Sequence, residues 1–244
     1  MSARTGHTIL ASVLVLGAVS APGFGCTETE VRHVSPVERG EEIVFSLDAS
    51  PSTINVYSCS SCHLTSGTSS DIIPGANLGG VTRRPSYWGG AEPTLLGAIN
   101  NCRSWFMGAV VPWKPTDQDA LAVFAYLDTL PGDESPRPFT IQRAVVDVPA
   151  GDKTAGESVY TRACALCHGS AHTAGARLTD RAPLLPEQTI KDHATYPFDD
   201  QRLVFVEKVR HGGFLGYGGE MPPFSREVLS DEDLGALLAY LGLY

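Results

Sequence analysis

Two stretches of the chain repeat one spacing of apolar positions. In "TDQDALAVFAYLDTL", from residue 116, Leu121, Phe124, Leu127 and Leu130 recur every three residues. In "SDEDLGALLAYLGLY", from residue 230, Leu234, Leu237, Leu238 and Leu241 fall at intervals of three and four residues. Apolar residues at such intervals line one face of an α-helix. Each stretch opens on a hydroxyl residue with an Asp three positions on, Thr116 with Asp119 and Ser230 with Asp233. That pattern predicts a capped helix start. A third helix is predicted over "TAGESVYTRACALCH", with Thr154 as its cap and Gly156 where another helix can approach closely. "RGEEIVFS", from residue 39, is its counterpart in the first half. Between that counterpart and Cys59 the first half carries extra residues around "SLDASPSTIN", where Pro51 signals a loop.

The repeat is exact in register. Met107, Asp117 and Tyr126 precede Met221, Asp231 and Tyr240 by 114 residues each. The predicted architecture is all-α, two tandem helical domains over 40–130 and 151–244. Residues 131–150 join them as an extended, Pro-rich linker.

The N-terminus has a different pattern. Arg4 is followed by the short apolar run "TILASVLVLGAV" and then by small residues. This reads as an export signal over 1–25, since a bilayer-spanning helix needs about 20 apolar residues. "GFGC" ends at Cys26, as in a lipoprotein signal, which predicts a lipid tether at Cys26 and a short spacer over 26–39. A cut near "AVSA" is the alternative. Either predicts a periplasmic protein or one on the outer face of a bacterial membrane. With 244 residues, 18% charged and net charge −9, the composition is that of a globular, acidic protein, a poor partner for nucleic acid.

The chemistry lies in the cysteines. Four of the six form "CSSCH" at 59–63 and "CALCH" at 164–168. C-x-x-C-H is the attachment signal for heme c. Two thiols one turn apart reach two vinyl groups of one porphyrin, and the adjacent His presents a nitrogen to the iron. Zinc and thiol–disulfide chemistry are the other uses of such spacing. Two copies in a chain with an export signal favour two covalent hemes, on Cys59, Cys62 and His63 and on Cys164, Cys167 and His168. Cys26 and Cys102 are left over and could pair as a disulfide outside the cytoplasm.

On these residues each half resembles a class I cytochrome c domain. In that family a helix leads into the heme motif, a loop supplies the sixth ligand, often a Met before Pro, and a C-terminal helix crosses the first. "GESVYTRACALCHG", "YGGEMPPF" and "LSDEDLGALLAYL" fit along the second half, which implies Met221 as the distal ligand. His211 is a weaker candidate there. His172 and His193 have no motif around them, His7 and His33 fall outside the domains, and Tyr160 and Trp88 read as packing.

For the first heme two sulfurs compete. The repeat places Met107 where Met221 stands. "CSSCHLTSGT", "RPSYWGG" and "TLLGAINNCRSWFMG" also resemble the first domain of the thiosulfate dehydrogenase family and related diheme sulfur-oxidation cytochromes. Ile99, Asn100, Cys102, Met107 and Gly108 match a run of that family whose Cys is the heme ligand, which implies Cys102 instead. Trp105 and Phe106 stand where the family has Arg-Ser. Two functions follow. One is an electron carrier between redox proteins or a membrane respiratory complex. The other is an oxidoreductase acting on a small sulfur oxyanion, with Cys102 at the catalytic heme and Arg83, Arg84 and Arg103 as the available cations. The carrier needs fewer parts.

Overall fold

The computed structural model describes residues 34–140, 142–214 and 219–244, which form one compact unit. The expected export signal, Cys26, His7 and His33 lie outside the described residues. Among the described residues the regular structure is helical, with one isolated bridge between Tyr87 and Glu92. No helix there is long and apolar enough to cross a membrane.

The first half holds α1 (Pro36–Phe45), α2 (Leu95–Trp105) and α3 (Gln118–Asp128). Helix α1 begins with a full capping box: Ser35 accepts from the Glu38 amide and the Glu38 side chain accepts from the Ser35 amide. Pro36 at the first helical position is already set at a helical φ. The spacer expected over 26–39 therefore gives way to helix by Pro36. The second half holds α4 (Lys153–Ala163), α5 (Ala165–His168), α6 (Glu187–Asp192), α7 (Phe198–His211) and α8 (Asp231–Tyr240).

Two of the expected caps move. Helix α3 is entered from Asp117, not Thr116, and the Asp117 carboxylate accepts from the Lys114 amide rather than from its own helix. Helix α4 is capped by Asp152, whose side chain accepts from the Ala155 amide, so Thr154 lies inside the first turn. Ser230 caps α8 as expected, accepting from the Asp233 amide at 3.0 Å.

The helices predicted from the repeat cross in pairs, α1 on α3 and α4 on α8. Glycine makes both crossings possible. A Cβ on Gly40 would stand 2.0 Å from the Ala122 carbonyl oxygen, and one on Gly156 2.0 Å from that of Ala236. Each pair seals its own core. Ile43, Val44, Val123 and Leu127 fill the first, and Val159, Val206, Leu234 and Leu238 the second.

Residues 131–150 contain no helix, as expected, but they are strapped down on both sides. Gly132 packs against the Gly79 backbone, Phe139 against Gly89 and Trp88, and Val148 is buried in the second core. Thr140 donates its amide to Glu227 at 3.0 Å.

Candidate functional site: a cavity facing the first cysteine pair

The turn from Cys59 to Ser61 follows an irregular segment, and the His63 amide donates back to the Cys59 carbonyl at 3.0 Å. Cys59, Cys62 and His63 thereby share one wall of a mostly apolar cavity of about 230 Å³. His63 Nδ1 lies 2.7 Å from the Ala76 carbonyl oxygen. A carbonyl can only accept, so Nδ1 carries the proton and Nε2 keeps its lone pair. Gly75 lets the loop pass the ring, since a Cβ there would lie 2.4 Å from the imidazole.

Cys102 and Met107 line the same cavity. Cys102 is on α2, one turn before the helix ends, and Met107 follows in the turn beyond it. Met107 is buried, and its carbonyl accepts from the Ser50 hydroxyl at 2.8 Å. Ser50 belongs to the extra residues of the first half, which thus brace the Met107 turn. Burial raises the pKa of every thiol here: Cys59 to about 11, Cys62 to about 12, and Cys102 further, with Cys62 and Cys59 adding to the rise. Free in this cavity, each sulfur keeps its proton. A thiolate at Cys102 would need a positive centre beside it.

Of the three expected cations, two reach the cavity. Arg84 and Arg103 are in its wall and buried, at 8% and 4% exposure. Both bond to backbone. Arg84 Nη2 donates to the Asn77 and Gly79 carbonyls, and Arg103 Nε to Ala49 at 2.7 Å. Neither has a carboxylate ion pair among the described residues. Arg83 points elsewhere and pairs with Glu134 and Asp128. Arg137 was not foreseen as part of the site, yet it too lines the cavity.

The second motif repeats the local geometry. Cys164 ends α4, and α5 carries Cys167 and His168. His168 Nδ1 lies 3.0 Å from the Pro183 carbonyl oxygen, which again leaves Nε2 available. Met221 packs against the second core, and its carbonyl accepts from the Gly213 amide at 2.7 Å. His211 is buried with Nε2 on the Gln142 carbonyl, so that nitrogen is already engaged. His172 pairs with Glu187 at 2.6 Å, His193 packs on Tyr196, and the Tyr160 hydroxyl donates to Gly169.

Trp88 does more than pack within its own half. It lines the first cavity and stacks on Phe214 at 5.0 Å and 3°. Phe214 also meets Trp105 edge-on at 4.7 Å. Pro222, Pro223 and Val228, just beyond Met221, complete the wall of the first cavity. Only the run "MPP" hinted at a role for these prolines in sequence, and it pointed to the second site.

The all-helical unit combines paired glycine-mediated crossings with two C-x-x-C-H turns. Residues 151–241 match the family described as cytochrome C oxidase, cbb3-type, subunit III. The second half is thus a cytochrome c domain, which implies covalently bound heme c and an electron-transfer role with redox-protein partners. No curated protein matches the chain. Among solved structures it is similar to thiosulfate dehydrogenase (TsdBA) from Marichromatium purpuratum in its as-isolated form, at 18% identity and TM-score 0.42. That likeness covers 84% of this chain and 45% of the other, so the chain spans less than half of that protein's length.

Proposed function

We propose that this is an exported diheme c-type cytochrome that passes single electrons between redox partners on the outer side of a bacterial membrane, tethered there through Cys26. Cys59 and Cys62 would hold the first heme and Cys164 and Cys167 the second, with His63 and His168 as proximal ligands and Met221 as one distal ligand. Covalently held heme supplies one-electron chemistry at iron. The chain binds it, excludes water and sets its potential.

The observation that carries this reading is the pair of imidazoles. Each follows its two cysteines directly, and each gives its Nδ1 proton to a backbone carbonyl, which fixes the ring and frees Nε2 for a metal. The first cavity fits the group in a second way. Its buried Arg84 and Arg103 have no carboxylate ion pair among the described residues, and a buried cation calls for an anion. The two propionates of a heme would meet that need.

The same arginines weigh against a sulfur oxyanion as substrate. Propionates that engage Arg84 and Arg103 leave them unavailable to a second anion, and Arg83, paired with two carboxylates, is outside the cavity. An iron opposite His63 would also be the positive centre that a Cys102 thiolate needs, so Cys102 and Met107 both stand as sixth ligand.

A pyridine hemochrome assay on the full chain tests the proposal. Two hemes per chain, retained on denaturing electrophoresis, are expected. One heme or none defeats the diheme reading.

A further inference from the structure

The two halves meet at several points. At one, the Ile72 amide donates to the Arg162 carbonyl at 3.0 Å, and Ile72 packs into the second core. At another, the ends of α2 and α7 lie together. Helix α7 ends at His211, and the residues after it run beside Met221. The Gly213 amide donates to the Met221 carbonyl at 2.7 Å, and the Phe224 amide to that of Val209 at 2.8 Å. Gly213 also faces the first half. A Cβ there would stand 3.3 Å from the Trp105 carbonyl oxygen and 3.4 Å from the Phe106 ring. Phe214 then packs on two tryptophans of the first half. Its ring is parallel to that of Trp88 at 5.0 Å and 3°, and edge-on to that of Trp105 at 4.7 Å and 79°. Trp105 closes the helix that carries Cys102, and Phe106 leads directly into Met107.

We propose that this aromatic clasp seats the distal ligand of the second heme: Trp88 and Trp105 of the first half grip Phe214, and Gly213, one residue before it, holds the Met221 backbone. The inference rests on the reading of Met221 as the sixth ligand of the second iron. A thioether is a neutral donor with no charge to keep it at iron, so its backbone must be fixed for the bond to persist. Opening the clasp frees Gly213, and with it the Met221 carbonyl. Trp88 is at the same time in the wall of the first cavity. The sulfur-bearing turns of both halves therefore share one clasp: Trp105 and Phe106 lead into Met107, and Phe214 and Gly213 hold Met221. Trp88, Trp105 and Phe214 are positioning residues, acting on the second iron only through Met221.

The test is ligand exchange on the oxidised full chain with its hemes bound, with imidazole as the probe. Imidazole replaces the Met221 sulfur at ferric iron. The iron–sulfur bond opens, an iron–nitrogen bond forms, and the oxidation state does not change. Loss of the near-infrared sulfur-to-iron band follows the exchange, and the share of that band absent from Met221→Ala belongs to the second heme. Phe214→Leu removes the ring from one side of the clasp, and Trp105→Leu from the other. Each should speed exchange at the second heme several-fold, well below the unfolding transition and with heme content unchanged. Trp105 is more than 100 residues before Met221, so its effect there travels through the clasp and not along the chain. An aromatic cluster that merely added stability would lower the unfolding midpoint and leave this rate alone. An unchanged rate in either variant overturns the inference. If Met221→Ala leaves the near-infrared band whole, Met221 is not a ligand, and the reading beneath the inference fails first.

Discussion

At the residue scale the open choice is one bond to iron. Cys102 and Met107 are five positions apart and face the same cavity, so position alone does not separate them. Chemistry does. A thioether binds without losing a proton, while the Cys102 thiol must lose one that its apolar surroundings hold tightly. Replacing each by Ala should therefore give different optical signatures. Met107→Ala abolishes the near-infrared sulfur-to-iron band if Met107 is bound. Cys102→Ala raises the potential of the first heme if the thiolate is bound, because a strong anionic donor stabilises the oxidised iron. Both variants are read by absorption spectra and potentiometric titration, and the variant that leaves the first heme's spectrum and potential unchanged names the sulfur that is not the ligand.

At the element scale, two crossings depend on a missing side chain. Nothing flexible stands opposite Gly40 or Gly156. Each faces a carbonyl oxygen and the Cβ of a tyrosine, Tyr126 or Tyr240. Gly156→Ala must push α8 away from α4 and should cost about 3 kcal/mol, by the usual price of overpacking. Gly40→Ala should do the same to α1 and α3. Chemical denaturation of the holoprotein checks both. These four helices were legible in the sequence because propensity and apolar spacing agreed, although of the expected caps only Ser230 stands where the sequence placed it. Helix α2, which carries Cys102, was not. Its sequence LLGAINNCRSW contains a glycine and two asparagines, and it buries only Leu95, Ala98 and Arg103. It is held by tertiary bonds: Asn100 accepts from the Trp113 amide at 2.8 Å, and Arg103 reaches Ala49. No local pattern encodes partners so far along the chain. The cap of α3 was misplaced by one residue for a similar reason, since Asp117 also serves the turn before it. The cysteine motifs were legible because their chemistry is local. The docking of Ile72 on Arg162 and the second core was not, because it joins residues from the two halves.

At the scale of the whole molecule, the two halves have separate cores but a common boundary. Trp88 is held in a left-handed conformation, φ 51°, which costs about 1–3 kcal/mol for a residue with a side chain. Contacts with Trp105, Phe139 and Phe214 offset it, at about 1 kcal/mol for each aromatic pair. Since Phe214 comes from the second half, the described unit should unfold in one cooperative transition. Phe214→Ala should cost about 2 kcal/mol, less than a fully buried phenylalanine would. It should also separate the transition into two, seen when tryptophan fluorescence and Soret absorbance no longer fall together.

The prolines after Met221 impose an order on biosynthesis. A chain is made from its N-terminus, and its early domains fold first. Cys59, Cys62 and His63 are therefore in place long before Pro222, Pro223 and Val228 exist to complete the wall around them. Until Pro222, Pro223 and Val228 are made and seated, the first cavity lacks one side of the wall around its cysteines.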